Sequence, residues 1–255
     1  MSSSIWTPGA LSSECRSDKG ACWRIVEAQH FVSTAKLTDS AEEQTRLEEL
    51  IEASKPAIPE ECRHLHFLLF TPFRYGAPYP AGSRFRRAGL TPGVFYGSEQ
   101  SKTAVVETAF HRLLFYAESP DTGWPSEPGE YSAFSVADAV GRAIDLSRPP
   151  FSQQVDVWTH PTKLEPCQQL ADAARGANID LIKYRSARDP DPAINLALLS
   201  CRAFAKPAPV GRETWRIQLS ASGVRAICEF PNAILSFDRT AFARDPRVAE
   251  MRWER

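Results

Sequence analysis

Within 24 positions the chain gathers three arginines, a tyrosine and a glutamate: Arg84, Arg86 and Arg87 in GSRFRRAG, Tyr96 in GVFYG, and Glu107 in TAVVETAF. Guanidinium forks hold phosphate oxygens through paired N–H donors, and Gly82, Gly89 and Gly93 would let the backbone approach a ligand. A pyrophosphate would suit such a loop. Tyr96, at the end of a short strand, would offer a shelf for a flat ring, and Glu107 a carboxylate. Each residue also has a plainer reading: a solvated basic loop, a core aromatic, and a helix-surface carboxylate facing His111 four residues on. Their joint occurrence along one loop-strand-helix passage is what points to a cleft.

A second polar cluster lies in IKYRSARDPDPAINLALL, residues 182–199. Ser186 and Arg188 read either as turn residues ahead of Asp189-Pro190 or as binding groups at a strand end. Cys62, His64 and His66 form C-x-H-x-H, which on a strand would place all three on one face at a spacing compatible with zinc. No companion motif stands nearby, HLHFLLF serves equally well as a half-buried strand, and no metal is expected.

The elements that must position these groups follow from periodicity. GVFYG (93–97) reads as a strand, with Ser98 capping a helix to about Tyr116. That helix carries Val106, Ala109, Phe110, Leu113 and Leu114 on one face, leaving Glu107 at the edge of the stripe. DSAEEQTRLEELIEA (39–53) is a helix with a Ser40/Glu43 capping box, and HLHFLLF (64–70) a strand. YSAFSV and GRAIDL read as two strands, EPCQQLADAARGAN as a helix ending at Gly176, and IDLIKYR (179–185) as a strand. ETWRIQLS, VRAICEF and AILSF, split by turn residues, form an antiparallel meander over 213–237. No β-α-β alternation, G-x-G-x-x-G or P-loop appears. The expectation is a Ser-rich, loose segment 1–22 followed by a single domain over 23–255, a compact α+β fold of short strands and helices.

Composition bounds the function. The 255 residues carry a formal net charge of −1, so no overall positive field draws a nucleic-acid backbone or an anionic membrane. The longest apolar runs, such as FLLF (67–70), fall far short of a membrane span. The start MSSSIWTPGALSSE has neither a basic nor an apolar leader pattern, so a cytoplasmic location is expected. The six scattered cysteines are then expected to be reduced.

G-S-R-F-R-R-A-G, Tyr96, and Glu107 eleven residues beyond it resemble the RES-domain toxins of bacterial toxin–antitoxin pairs, named for an arginine, a glutamate and a serine. Ser186 in YRSARDP, followed by Asn195-Leu-Ala-Leu-Leu, is similar to the family's hydroxyl followed by an asparagine and an apolar strand. WRIVEAQH and TPFRYGAPYPAGSRFR look like a longer branch, and the resemblance covers roughly residues 23 to 205. The family's common G-G-R-W-N is S-R-F-R-R here; Arg84 aligns best with the family arginine and Arg86 is the alternative. Two extra residues separate the loop from Tyr96. The resemblance implies a fold similar to diphtheria-toxin-like ADP-ribosyltransferases, with NAD as a consumed co-substrate and no permanently bound cofactor. Glu107, Arg84 and Ser186 would be catalytic, with Tyr96, Arg86, Arg87 and Arg188 binding the substrate. It also implies an Xre-type antitoxin partner, a homodimer or hetero-oligomer with that antitoxin, and water, phosphate or a protein as acceptor of ADP-ribose.

Overall fold

Seventeen consecutive residues, Gly129–Asp145, form the strand (β3) on which the sheet is assembled. The computed structural model of the chain describes residues 6–27, 34, 37–75, 82–89 and 92–255. Residues 28–30 of WRIVEAQH and 76–81 of TPFRYGAPYPAGSRFR lie outside the described residues. YSAFSV and GRAIDL are thus one strand, not two. The strand β1 (Arg16–Glu27) pairs with β3 antiparallel from Arg16–Ala143 to Glu27–Tyr131, so one backbone ladder spans both segments.

That ladder also corrects the reading of residues 1–22 as loose, as far as the described residues from 6 onward go. Residues Pro8–Glu14 form a helix (α1) capped by the Thr7 side chain, which accepts from the Ala10 N–H, and Leu11 is fully buried. The first half of β1 is mostly exposed and polar. It is held by main-chain hydrogen bonds, which leave no hydrophobic pattern in the sequence.

Short strands then close a ring. β2 (Phe95–Ser98) pairs antiparallel with β5 (Ile194–Leu198), which pairs antiparallel with β4 (Leu181–Arg185). β4 returns to β3 in parallel over Ala143–Asp145, and Trp23 of β1 meets Ser98 of β2 on one edge and Ser135 of β3 on the other. The parallel β3–β4 pair is joined through a helix, Glu165–Gly176, so one β-α-β unit exists where none was expected. The expected meander is present as β6 (Gly211–Ser220), β7 (Gly223–Cys228) and β8 (Ala233–Asp238), extending from the N-terminal half of β3. The whole is a mixed α+β fold.

In chain order the remaining helices are α2 (Ala41–Ser54), α3 (Phe67–Arg74), α4 (Ser101–Glu118), α5 (Val155–Trp158), α6 (Glu165–Gly176) and α7 (Pro246–Ala249). Ser40 caps α2 by accepting from the Glu43 N–H at 3.1 Å, while the Glu43 carboxylate accepts from the Asp39 N–H at 2.9 Å. HLHFLLF is not a strand. His66 caps α3 through Nδ1, which accepts from the Leu68 N–H, and Leu69 and Phe73, four residues apart, turn into the core. A four-residue apolar run carries no period to tell helix from strand, which is why the reading as a strand failed.

The C-x-H-x-H reading falls with that strand. Cys62 is disulfide-bonded to Cys201 with Cα atoms 5.6 Å apart, which also corrects the expectation of six reduced thiols. Among the described residues no group of three metal-ligating side chains comes together. No helix there is long and apolar enough to cross a membrane.

Three buried clusters hold the layers together. α4 lays Val105, Val106, Ala109, Phe110 and Leu113 against Trp215, Ile217 and Ala226 of β6 and β7. α6 packs Cys167, Leu170 and Ala174 over Ile144, Ile182 and Tyr184, with Phe85 between. α3 covers the other end of the sheet, where Leu69 and Phe73 meet Phe95, Leu196 and Leu198.

Two stability predictions follow from this packing. A Cβ at Gly93 would lie 1.9 Å from the Pro72 carbonyl oxygen of α3, so Gly93→Ala must push α3 off β2. Denaturant unfolding should show a loss of about 2–3 kcal/mol. Asp138 in β3 is fully buried with no hydrogen-bond partner on another residue for either carboxylate oxygen among the described residues. Burial, reinforced by Asp18 and opposed by Lys183, raises its pKa to about 6. Because the folded value exceeds the unfolded one of about 3.9, the associated stability is present at pH below about 4 and is lost as pH rises through about 6. Asp138→Asn should therefore abolish this decline, and melting curves from pH 4 to 7 that keep the wild-type slope in the variant would contradict it.

Candidate active site

The register of the ring places four residues in a row. Trp23 of β1 is opposite Ser98 of β2, Ser98 opposite Asn195 of β5, and Asn195 opposite Tyr184 of β4. Directly opposed residues share a face of the sheet. All four line one cleft of about 720 Å³, a volume in the range of about 300–1,000 Å³ that holds cofactor-sized molecules. Helix α4 forms its other wall with Ala104, Glu107, Thr108, His111, Leu114 and Glu118, the recurring face of a helix. The helix starts at Ser101 with Gln100 as its N-cap, so Ser98 is not the cap expected from the sequence. It belongs to β2 and lines the cleft, and its hydroxyl donates to Asn195 Oδ1 at 2.7 Å.

Glu107 is the focus of the polar contacts. Its Oε1 accepts from the Ser186 hydroxyl at 2.7 Å and from the Asn195 amide nitrogen at 2.6 Å, while its Oε2 accepts from Arg188 Nη1 at 3.3 Å. Oε1 is thereby occupied by two donors, and Oε2 keeps lone-pair capacity for a further one. Ser186 is fixed in turn, since its Oγ accepts from the N–H groups of Arg188 and Asp189. The Arg188 guanidinium lies 4.7 Å from the centre of the Phe110 ring, a cation–π contact that holds its plane. Arg188 and Ser186 are thus both turn residues and site residues.

Burial disfavours the charged form of Glu107, but Arg188, the Ser186 hydroxyl, His111 and the Asn195 amide together hold its carboxyl below the usual carboxylate range. Burial first, and then the Arg188 charge, push the His111 imidazole below its ordinary value against the pull of Glu107. At neutral pH the two groups are a carboxylate and a neutral imidazole.

The arginine loop divides. Arg84 is 5% exposed and lines the cleft, but Nη1 donates to the Trp158 carbonyl at 2.6 Å and Nη2 to the His160 carbonyl at 3.1 Å. Its buried Nε has no partner among the described residues. Arg86 turns away to the Tyr75 carbonyl, and Arg87 pairs with Asp172 on α6; neither lines the cleft. Of the three glycines, Gly82 lines the cleft and Gly89 and Gly93 do not. Gly93 abuts the α3 backbone, a Cβ at Gly82 would meet Gln168, and Gly89 adopts φ 87° beside open space.

Tyr96 lines the cleft, and its hydroxyl is engaged by the arginine loop. It accepts from the Phe85 N–H at 3.0 Å and shares a 2.8 Å hydrogen bond with Ser83. Burial raises the phenol pKa, so the proton stays in place. Tyr96 therefore braces the loop segment Ser83–Phe85 that carries Arg84.

The structure thus brings together Arg84, Tyr96, Glu107, Ser186 and Arg188, of which all but Ser186 line the cleft, and leaves Arg86 and Arg87 outside. Sequence reasoning did not single out Arg24, Trp23, Ser98 or Arg247 as site residues. Arg24 donates to the Tyr96 carbonyl at 3.0 Å and stacks on Phe95. The only sequence signal for it was a basic residue inside an apolar run. Asn195 was noted beside the serine, but its contact with Glu107 depends on strand register, which no spacing reveals. Four arginines against two glutamates line the cleft, so an anionic ligand is favoured there.

No curated protein matches the chain. The crystal structure of the M. tuberculosis MbcT-MbcA toxin-antitoxin complex holds a chain that is similar at a TM-score of 0.48 and 12% sequence identity, over 82% of this chain and 91% of that chain. The sequence pattern of the RES domain matches residues 58–220, a span that includes Arg84, Tyr96, Glu107, Ser186 and Asn195. With most of its length matched, the chain belongs to the RES-domain family.

Proposed function

We propose that this protein is the toxin of a bacterial toxin–antitoxin pair and that it cleaves NAD at the nicotinamide–ribose bond, passing ADP-ribose to water, phosphate or a protein side chain. The observation that carries the reading is an ionised, triply hydrogen-bonded Glu107 inside a cleft walled by arginines. Membership of the RES-domain family supports the toxin role, and the partner proposed for it is an Xre-type antitoxin.

Breaking the bond between ribose C1′ and the pyridinium nitrogen sends the electron pair to nicotinamide and leaves an oxocarbenium-like sugar. Glu107, its charge fixed in place, stabilises that cation and orients the acceptor, whose lone pair forms the new bond to C1′ as its proton departs. Ser186, Arg188 and Asn195 hold the carboxylate so that it need not reorganise in the transition state. Arg24 and Arg84 flank the position of the pyrophosphate, and Tyr96 keeps Arg84 in place. Arg86 and Arg87 have no part in this account.

A second reading, a non-enzymatic module that grips a phosphorylated ligand or partner, rests on the same arginine lining. It predicts binding of NAD without release of nicotinamide.

Purified protein should release nicotinamide from NAD, and dependence of the rate on added phosphate would identify phosphate as the acceptor. Glu107→Gln should lower kcat about 10²- to 10³-fold; undiminished release would sink the assignment. Arg24→Ala should raise the KM for NAD about ten-fold, whereas Arg87→Ala, which removes an exposed ion pair, should leave it within two-fold. Since the Glu107 carboxyl is held below the usual carboxylate range, the rate should be level around pH 7 and the loss from protonating Glu107 should come only below the ordinary carboxylate value of about 4.3. An activity loss centred near pH 6.5 would instead implicate a titrating histidine.

A further inference from the structure

Ser98 and Asn195 face each other directly across the β2–β5 ladder, and both are almost wholly buried, at 3% and 2% exposure. The Ser98 hydroxyl donates to Asn195 Oδ1 at 2.7 Å, and Asn195 Nδ2 donates to Glu107 Oε1 at 2.6 Å. An asparagine amide has one accepting and two donating ends and can be turned over by a half rotation. With the oxygen turned toward Glu107, two acceptors would face each other in a buried site. The acceptor-only carboxylate therefore selects the nitrogen, and the Ser98 hydroxyl anchors the amide in that orientation by donating to the oxygen at the far end.

We propose that Ser98 is a positioning residue for Glu107, acting through Asn195 as a two-bond relay that keeps the amide nitrogen on the carboxylate. The proposal rests on the reading of Glu107 as the catalytic carboxylate. The relay differs in kind from Ser186 and Arg188, which touch Glu107 from a turn. Ser98 and Asn195 sit on regular strands, so the ladder itself sets the angle at which the amide meets the carboxylate. Arg188 from the turn after β4, His111 from the next turn of α4, and Tyr184 from β4 are the other titratable groups around Glu107, and the relay leaves all three in place.

In Ser98→Ala the Asn195 oxygen loses its hydroxyl partner, so the amide is no longer anchored at its far end and its hydrogen bond to the charged form of Glu107 weakens. Titration of the Glu107 side-chain carboxyl, followed by isotope-edited NMR without any substrate, should move up by about one pH unit. A shift at least as large is expected in Asn195→Ala, and the double variant should shift no further than Asn195→Ala alone, because both changes cut one chain of bonds. In the NAD assay kcat of Ser98→Ala should drop about ten-fold with KM unchanged, the acid limb of its rate profile should follow the NMR shift, and Ser98→Thr should restore both. A wild-type carboxyl titration in folded Ser98→Ala, or additive shifts in the double variant, would overturn the relay. A wild-type protein that releases no nicotinamide would overturn the catalytic reading instead, and the NMR titration separates the two failures.

Discussion

A carboxylate buried beside an apolar helix face is costly unless donors surround it, and the architecture around Glu107 is arranged to meet that requirement. Four elements converge on one side chain. α4 supplies Glu107, β5 the Asn195 amide, the turn after β4 the Ser186 hydroxyl and the Arg188 charge, and β2 the hydroxyl that donates to the amide oxygen. None of these groups could be lost cheaply, because removing one donor leaves a buried charge short of a partner. The short strands β2, β4 and β5 carry few residues, yet they hold the donors on paired backbone rather than on free loops.

The region matched to the RES domain stops at residue 220, but the cleft does not. Trp23, Arg24 and Ile25 come from β1, before the match, and Arg247 from α7 beyond it. β1 joins β2 to β3 and so closes the strand ring, while the segment before α7 reaches the other side through Arg244, whose guanidinium donates to Thr159 at 3.1 Å. Arg255 binds the carbonyls of Tyr116, Ser119 and Thr122, where the helix dipole of α4 favours positive charge. The flanking segments thus brace α4 at its far end and add an arginine to each side of the cavity.

Much of this was legible in the sequence where a residue's position is set by its neighbours in the chain. The capping box of α2, the apolar face of α4, the meander and the edge placement of Glu107 all follow from local periodicity and turn chemistry. What failed depended on contacts remote in sequence. β1 is held by its partner strand rather than by hydrophobic pattern, HLHFLLF is too short to show a period, and Cys62 finds Cys201 across 139 positions. The three arginines look alike in the sequence. Only the packed structure separates Arg84, turned toward the cleft, from Arg86 and Arg87, which bind Tyr75 and Asp172.

The claim that the cavity is an NAD site with Glu107 at the reacting sugar is tested most directly by a crystal structure of Glu107→Gln soaked with NAD. The account predicts the nicotinamide ribose against residue 107 and the pyrophosphate between Arg24 and Arg84. A dinucleotide bound with its adenosine end at residue 107, or absent from the cleft at saturating concentration, would contradict it.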